Sequence, residues 1–357
     1  MVGCTRVPNQ ASPVSLDELL AQYGAQVDEW TRAALAESIS PQAERLRAML
    51  EYHLGWRDEQ LRPLSVAAPA GKKLRPALVL LVAQAVSGEL NQAARDAAVA
   101  VELIHNFSLV HDDIQDRSEL RRHRRTVWSI WGMPQGINAG DALFALAQRV
   151  IVRAASAQAA AMAAELNATA LLLAEGQFLD IDLQQGQTAV TLDAYETMIT
   201  RKTGVLFASA CRLGAMAAGA SASARDAYAA YGLELGVAFQ EQDDLLGVWG
   251  LSVETGKPEA ADVIERKRGL PAAMALSLAD APAWLKSAYA EMDGEIDPPL
   301  VERIIGHFDQ LELRSTVEQR VEARYRKALE SLDAAGAREP ARGYLTAICG
   351  ALVSRRT

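Results

Sequence analysis

Three aspartates lie close together in an apolar, helix-periodic stretch of the chain. Asp112, Asp113 and Asp116 occupy positions i, i+1 and i+4 near the end of the segment 105–116. On a helix Asp112 and Asp116 share one face, where like charges one turn apart repel by about 0.2–0.5 kcal/mol. A bound cation would remove this cost, and oxygen ligands without cysteine or a converging histidine suit a hard ion such as Mg²⁺. A solvated acidic helix face is the alternative that these residues alone leave open.

A second acidic patch follows further along the chain. Gln240 and Asp243 share a helical face at i and i+3 in the apolar segment 236–247, and Asp244 is adjacent. Gln177 and Asp180 have the same spacing in the segment 175–182, where a satisfied buried polar pair is the alternative. Two acidic patches in apolar settings are hard to explain by chance exposure, which favours a functional role for both.

Basic residues are concentrated in two segments of this acidic chain. The segment 71–76, GKKLRP, is a glycine turn with three cations, and Pro76 opens an apolar helix. Backbone amides and basic side chains at a helix N-terminus form an anion site, although an ordinary charged helix start has the same pattern. The arginine-rich segment 117–126 directly follows the first acidic patch. Because arginine binds phosphate bidentately, we interpret these segments as holding a polyanion that metal ions bridge to the aspartates.

Composition narrows the class of protein. Half of the 357 residues are hydrophobic and only 6% are aromatic, which together with alanine-rich windows favours a mostly helical globular protein. The net charge of −9 argues against a nucleic-acid partner, because counterion release needs a basic excess. The three cysteines are far apart and odd in number, so neither a disulfide framework nor a zinc site is indicated. We find no signal peptide and no run of about 18 apolar residues, and expect a cytoplasmic protein without an integral membrane segment.

Apolar periodicity and capping signals predict the helices that must position these residues. Residues 1–14 are predicted to be a flexible leader, and residues 15–357 a single domain. Ser15 and Glu18 form a capping box for the first helix. Further helices are expected at about 41–55, 77–87, 91–116, 139–156, 166–183 and 195–213, followed by four or five across 271–357. Gly204 should weaken the helix 195–213 by about 1 kcal/mol.

Taken in order, these segments resemble the trans-isoprenyl diphosphate synthase family, also called polyprenyl synthetases. The motifs are GKKLRP at 71–76, HNFSLVHDDIQD at 105–116, LRR at 120–122, AGDAL at 139–143, EGQFLD at 175–180, KTG at 202–204, FQEQDD at 239–244 and GK at 256–257. Each motif alone is weak, but their order and spacing are specific. The resemblance implies an all-α, single-domain bundle of ten or more helices around a central cavity, usually a homodimer.

The resemblance also assigns roles to individual residues. The ligands of three Mg²⁺ would be Asp112, Asp113, Asp116, Asp180, Asp243 and Asp244. The allylic diphosphate would be held by Arg121, Lys202 and Lys257, and isopentenyl diphosphate by Lys72, Arg75, His105 and Arg122. Thr203 and Gln240 would complete the substrate site. The residues expected to be catalytic are Asp112, Asp113, Asp116, Lys202 and Asp243.

The implied reaction explains why these residue types are needed. A short-chain prenyltransferase condenses isopentenyl diphosphate with dimethylallyl, geranyl or farnesyl diphosphate after the allylic C–O bond ionises, and cations stabilise the leaving diphosphate. Phe107 and Ser108 lie five and four residues before Asp112, about one helical turn deeper, and would set the product length. An aromatic residue at this position resembles enzymes that make geranylgeranyl diphosphate (C20). Farnesyl diphosphate (C15) is the alternative product.

One position departs from the family pattern, and three other functions stay open. The second acidic motif usually carries a third aspartate four residues after its first, and here that position is Gly247. We expect an active enzyme, with a non-catalytic regulatory subunit of a heteromeric synthase as an alternative. A class I terpene cyclase would share the first motif but needs no second diphosphate site. A carboxylate-bridged di-iron bundle would need two Glu-x-x-His pairs, and only Glu102 with His105 matches.

Overall fold

Most of the chain is helical in a computed structural model that describes residues 14–68, 71–153, 158–250, 259–291 and 296–353. The helices are α1 (Leu16–Ser38), α2 (Glu44–His53), α3 (Leu74–Ser87), α4 (Gln92–Gln115), α5 (Val127–Trp131), α6 (Met133–Arg153), α7 (Ala159–Gln184), α8 (Leu192–Ile199), α9 (Val205–Ala217), α10 (Ala222–Trp249), α11 (Ala261–Ile264), α12 (Leu270–Leu276), α13 (Ala283–Ala290), α14 (Pro298–Gln310), α15 (Leu313–Ala334) and α16 (Ala341–Val353). Within these ranges the only sheet is an antiparallel hairpin of β1 (Leu120–Arg121) and β2 (Arg124–Arg125). The expected all-α class is confirmed.

Helix α3 lies in the centre of the fold because its sequence is apolar on every face. Each residue from Ala77 to Ala83 is at most 1% exposed. Burying a leucine or valine side chain completely contributes about 1.5–3 kcal/mol, so this run anchors its neighbours. Helices α4 and α9 pack directly on α3, and α10 packs on α9. The elements that carry the two acidic patches therefore rest on a buried apolar support.

The helix starts follow the capping signals in the sequence. Ser15 and Glu18 form the predicted capping box, in which Glu18 N donates to Ser15 Oγ at 3.3 Å and Ser15 N donates to Glu18 Oε2 at 2.9 Å. The side chains of Asn91 and Ser221 cap α4 and α10 in a similar way. Each cap contributes about 1 kcal/mol, so both helices with acidic patches have fixed starting points.

Several predicted helices differ from the observed ones. The helix expected at 77–87 begins at Leu74, so Pro76 lies in its first turn and does not open it. The helix expected at 139–156 begins at Met133, directly after Gly132, whose φ of +88° turns the chain between α5 and α6. The helix expected from residue 166 already begins at Ala159. The helix expected at 195–213 contains a π-helical turn, Thr200–Gly204, between α8 and α9. Gly204 thus marks a change of helical geometry rather than a simple weak point. Among the described residues after 269 there are five helices, α12 to α16, as expected.

A second, smaller hydrophobic cluster forms at the C-terminal end of α10. Val248 packs there with Val263 of α11 and Phe308 of α14. Trp249 and Met274 contact both this cluster and the main core. The cluster therefore fixes the short helix α11 beside α10, next to the second acidic patch.

Two further expectations concern whole segments. Of the predicted leader, residues 1–13 lie outside the described part of the chain. None of the helices in the described ranges combines the length and the apolar character needed to cross a bilayer.

Candidate active site

Four of the six predicted metal ligands line one cavity of about 1190 Å³, here called the acidic cavity, whereas Asp112 and Asp113 are not among its lining residues. It opens between α4, α7, α8, α10 and the segment that carries α11. The site residues that face it are Asp116, Asp180, Lys202, Thr203, Gln240, Asp243 and Asp244. The fold thus joins side chains from segments that are far apart in the sequence.

The three aspartates of the first patch have different partners. Asp112 and Asp116 lie close enough to Lys202 for their charges to interact. Arg121 Nε instead donates to Asp113 Oδ1 at 2.7 Å, and the Asp113 side chain is only 3% exposed. Burial raises the pKa of Asp112 and of Asp113 to about 6 in spite of these cations. The structure therefore places Asp112 and Asp116 on the Lys202 side and uses Asp113 to hold Arg121.

Lys202 stands among three carboxylates. Its Nζ donates to Asp180 Oδ2, and Asp112 and Asp116 add further negative charge. Burial by itself lowers the pKa of Lys202, but the carboxylates together raise it above its ordinary value. The π-helical turn that carries Lys202 presses against α7, where a Cβ on Gly176 would lie 2.2 Å from Lys202 N. Only glycine permits this approach, which brings a permanent cation to the acidic patch.

Asp244 is engaged by protein donors on both of its oxygens. Tyr195 OH and Leu270 N donate to Asp244 Oδ2 at 2.6 and 2.7 Å, and Gln240 Nε2 donates to Oδ1 at 2.9 Å. Burial raises the pKa of Asp244 to about 6 despite these donors. Thr203 Oγ1 in turn donates to Gln240 Oε1 at 2.9 Å. In this arrangement Asp244 orients Gln240 and ties α8 and α12 to α10, while its predicted role as a metal ligand stays a prediction.

The predicted basic residues line a second cavity of about 320 Å³, here called the basic cavity. Lys72, Arg75, His105 and Arg122 all face it. Burial lowers the pKa of Arg75 to about 10, so its guanidinium stays charged at neutral pH. Burial, and next the charge of Arg75, hold the pKa of His105 well below its ordinary value. Because arginine is only a donor, the 3.3 Å contact between Arg75 Nη1 and His105 Nε2 makes the neutral imidazole the acceptor.

The β1–β2 hairpin directs two neighbouring arginines to different targets. Arg122 and His123 have φ of +51° and +61°, as a two-residue hairpin turn with two left-handed positions requires. Arg121 reaches Asp113, whereas Arg122 reaches the basic segment 71–76. A Cβ on Gly71 would lie 3.0 Å from Arg122 Nη2. Gly71 also has φ +82°, so glycine satisfies both the backbone conformation and the close contact.

Neighbouring residues of α10 line the two cavities. Phe239 lines the basic cavity, and Gln240 and Asp243, within the next turn, line the acidic cavity. The charge of Asp243 acts on Arg75. An anion in the basic cavity would therefore lie beside a ligand bound at the second acidic patch.

The donor set at the acidic cavity fits Mg²⁺. Asp116, Asp180 and Asp243 line the cavity with hard oxygen donors, and Asp112 precedes Asp116 by one turn of α4. In the described ranges, no three or more His, Cys, Asp or Glu side chains already form a group that could hold a metal ion. Mg²⁺ usually keeps several waters and takes one or two carboxylates together with substrate phosphate oxygens. A preformed cage of side chains is therefore not required.

Phe107 and Ser108 take different positions on α4. Ser108 lies one turn below Asp112 on the same face, and its Oγ donates to His105 O at 2.8 Å. Phe107 packs against Phe144 of α6, with ring centroids 5.4 Å apart. Phe144 was not singled out by its sequence context. If Phe107 limits the growing product, its contact with Phe144 would hold the Phe107 ring in place.

Several contacts in the site could not be predicted from the sequence. Tyr195 and the amide of Leu270 bond to Asp244 across 49 and 26 residues, and no local pattern marks them. Lys73 is one of the three cations in the basic segment 71–76. It forms an ion pair with Asp28, and its side chain is 6% exposed. Lys257 lies outside the described residues, so its contact with a diphosphate stays a prediction.

Comparisons with known proteins identify the family of this chain. The polyprenyl synthetase family model matches residues 59–299. The chain is 42% identical over 241 residues to (2E,6E)-farnesyl diphosphate synthase of Mycobacterium tuberculosis, and this match spans 68% of this chain and 65% of that protein. It is 40% identical over 267 residues to geranylgeranyl diphosphate synthase of the same organism, spanning 73% and 75% of the two chains.

The fold is also similar to a solved structure. Geranylgeranyl pyrophosphate synthase from Corynebacterium glutamicum, complexed with isoprenyl diphosphate and magnesium, aligns with a TM-score of 0.78 at 26% identity. The alignment covers 96% of this chain and 100% of that one. The likeness therefore extends over nearly the whole chain, including both cavities.

Replacing Tyr195 by phenylalanine should lower the free energy of unfolding by about 1–3 kcal/mol, because buried Asp244 loses a hydrogen-bond donor. Tyr228→Phe is the matched control, since the Tyr228 hydroxyl is buried with no hydrogen-bond partner in the described structure. Urea unfolding of the two variants and the wild type measures the difference. Equal stabilities of the two variants would show that Tyr195 does not hold Asp244.

Proposed function

Because the chain belongs to the polyprenyl synthetase family, we propose that it is a short-chain prenyltransferase. Its reaction would join isopentenyl diphosphate to an allylic diphosphate of the dimethylallyl, geranyl or farnesyl type. One observation carries this proposal: an acidic and a basic cavity are lined by neighbouring residues of α10. Such a pair accommodates two diphosphates, one bound together with metal ions and the other bound by cationic side chains.

The acidic cavity would take the allylic diphosphate with Mg²⁺, and three ions is the number that the family resemblance implies. Asp112, Asp116, Asp180 and Asp243 would hold the ions, which when bound stabilise negative charge on the leaving diphosphate. Lys202, kept protonated by its carboxylate neighbours, adds a fixed cation at the same place. Asp113 and Asp244 would act in this proposal by holding Arg121 and Gln240.

The basic cavity would hold isopentenyl diphosphate. Lys72, Arg75 and Arg122 supply cations from two loops and one helix, so they bind an anion from different sides. His105 accepts a hydrogen bond from Arg75 and thereby fixes the direction of the guanidinium group. This placement would set the double bond of isopentenyl diphosphate beside the allylic carbon, which is the main contribution of positioning to such a reaction.

An allylic cation has to be protected from water. The aromatic rings of Phe207 and Phe239 line the basic cavity, with centroids 5.8 Å apart. Apolar walls of this kind exclude water from reactive intermediates. The side chains around the two diphosphate sites thus combine charge for binding with apolar surface for protection.

We propose geranylgeranyl diphosphate (C20) as the product, with farnesyl diphosphate (C15) as the alternative. Relatives with both names are similar to this chain. A short product is favoured because Phe107 packs against Phe144 one helical turn below Asp112, where the two rings would block a growing chain that reached them. Ser108 leaves more room than a second aromatic residue would.

The other functions have weaker support. A terpene cyclase needs one diphosphate site and gives no use for the basic cavity. The di-iron alternative is disfavoured because Glu102 accepts from Asn106 and His105 accepts from Arg75. The regulatory-subunit alternative depends on the absence of an acidic residue at position 247.

We also propose that the chain forms a homodimer through α6 and α7. Both helices expose large apolar side chains, namely Ile137 (45%) and Val152 (56%) on α6 and Leu171 (62%) and Phe178 (62%) on α7. Exposed apolar patches on soluble proteins commonly mark protein contacts. Light scattering after size exclusion should give twice the chain mass of 38.5 kDa. A monomeric mass at all concentrations would contradict this assembly.

The proposed activity is tested by incubating the protein with labelled isopentenyl diphosphate, Mg²⁺ and each allylic starter in turn. A C20 alcohol after dephosphorylation is expected, and chelation of Mg²⁺ with EDTA should abolish product formation. A C15 alcohol would keep the reaction and change the chain length. Absence of any elongation by folded protein would overturn the enzyme assignment.

A matched pair of variants on α10 links this activity to the acidic cavity. Asp243→Asn should lower kcat/KM at least about 100-fold, equivalent to about 2.7 kcal/mol of transition-state stabilisation. Asp226→Asn, at the exposed far end of the same helix, should leave kcat/KM unchanged. Equal activity of the two variants would separate catalysis from the cavity.

Phe107→Ala should lengthen the product by one or more isoprene units, because removal of the ring opens the floor beneath Asp112. Phe107→Leu keeps most of the volume and should give a product distribution closer to that of the wild type. Chromatography of the dephosphorylated products measures both. An unchanged distribution in Phe107→Ala would place the floor elsewhere.

A further inference from the structure

Position 247 lacks the acidic side chain that the family pattern leads one to expect. Gly247 follows Asp243 by one turn of α10, and both residues line the acidic cavity. A carboxylate at position 247 would therefore share the face of Asp243. The sequence alone indicates that the second acidic patch is one carboxylate short.

The space beside Gly247 is filled by a carboxylate from another helix. A Cβ on Gly247 would lie 1.9 Å from Asp262 Oδ2 and 2.4 Å from Asp262 Cγ. No side chain fits at position 247 while Asp262 keeps this position. By contrast, a Cβ on Gly306 of α14 would meet no atom within 4 Å. Gly247 and Asp262 thus form a complementary pair in which the missing side chain makes room for the carboxylate.

The position of Asp262 is fixed by its own surroundings. It lies on α11, where the flanking residues Ala261 and Val263 are 4% and 1% exposed. Ala260 and Arg266, on either side of the helix, have φ of +55° and +52°, conformations that persist in such residues only where the surrounding structure determines them. The loop therefore holds Asp262 against α10 rather than leaving it in solvent.

Asp262 faces the cavity with one oxygen directed to a cation. Its Oδ1 accepts from Lys267 Nζ at 2.9 Å, and its Oδ2 is the atom beside Gly247. Lys267 Nζ also lies 2.8 Å from Glu265 Oε2, so the lysine keeps a carboxylate partner if Asp262 turns to another cation. Both Asp262 and Lys267 line the acidic cavity together with Asp243.

We propose that Asp262 supplies the third acidic side chain of the second patch and holds a divalent cation together with Asp243, directly or through one water. Gly247 is the position that admits it. This inference rests on the proposed function, because the ion is the one that would accompany the allylic diphosphate. It also removes the argument for an inactive regulatory subunit, since the acidic group absent from α10 is present on α11.

The experiment measures metal binding without turnover. Mn²⁺, as a spectroscopic substitute for Mg²⁺, is titrated into the full-length protein with inorganic pyrophosphate and followed by electron paramagnetic resonance. Asp262→Asn keeps the shape of the side chain and should weaken Mn²⁺ binding about 10-fold or more, the range typical of groups that orient or neighbour a metal. Wild-type affinity in Asp262→Asn would overturn the proposal.

Moving the carboxylate back to α10 gives a second, independent test. Gly247→Asp alone should bind Mn²⁺ poorly and unfold at a lower temperature, because its side chain collides with Asp262. The double variant Gly247→Asp with Asp262→Gly should recover both affinity and stability. Gly306→Asp is the matched control, since a helical glycine with open space should accept an aspartate without loss of Mn²⁺ affinity. A double variant that binds no better than Gly247→Asp would contradict the exchange, and Asp262→Asn decides if these variants do not fold.

Two further variants separate the possible failures. If Asp243→Asn also binds Mn²⁺ like the wild type, the metal site of the proposed function is wrong as a whole. If Asp243→Asn loses affinity and Asp262→Asn does not, only the role of Asp262 is wrong. Lys267→Met tests the alternative that Asp262 only forms a structural ion pair with Lys267. In that case Lys267→Met and Asp262→Asn would have equal melting temperatures, and both would bind Mn²⁺ like the wild type. This result would overturn the proposal.

Discussion

The structure depends on bringing several like charges together around one cation. Burial raises the pKa of Asp112 to about 6 and also raises that of Asp116, and the charge of Lys202 acts in the opposite direction on both. The Lys202 ammonium is in turn kept protonated, because Asp180, Asp112 and Asp116 raise its pKa. Its position requires a π-helical turn and the absence of a side chain at Gly176. The π-helical turn and the glycine on α7 together place the Lys202 ammonium group.

Two of the predicted acidic residues hold other parts of the protein in place. Asp113 holds Arg121, and Asp244 connects three segments through Tyr195, Gln240 and Leu270. These buried groups are satisfied by protein donors, as buried polar groups generally must be. The result is a frame in which the cavity-facing residues have fixed directions before any substrate arrives. Such preorganisation is the usual source of charge stabilisation in enzymes.

Residues of α10 line both cavities. Phe239 lines the basic cavity, and Asp243, one turn further along the helix, lines the acidic cavity. The C-terminal end of α10 then meets the small hydrophobic cluster that fixes α11. One helix therefore contributes to both cavities and contacts the segment that carries Asp262. A change in the packing of α10 would be felt at all three places.

The sequence by itself determined the all-α class, the capping box at Ser15, and the residues that share a helical face with Asp112, Asp116 and Asp243. Helical periodicity is local, so it fixes which residues share a face. It does not fix what that face meets. Only the tertiary structure decided that Asp113 and Asp244 turn to protein donors, that Lys73 turns to Asp28, and that Asp262 fills the space beside Gly247. Those outcomes depend on contacts between segments distant in sequence, and no local pattern encodes them.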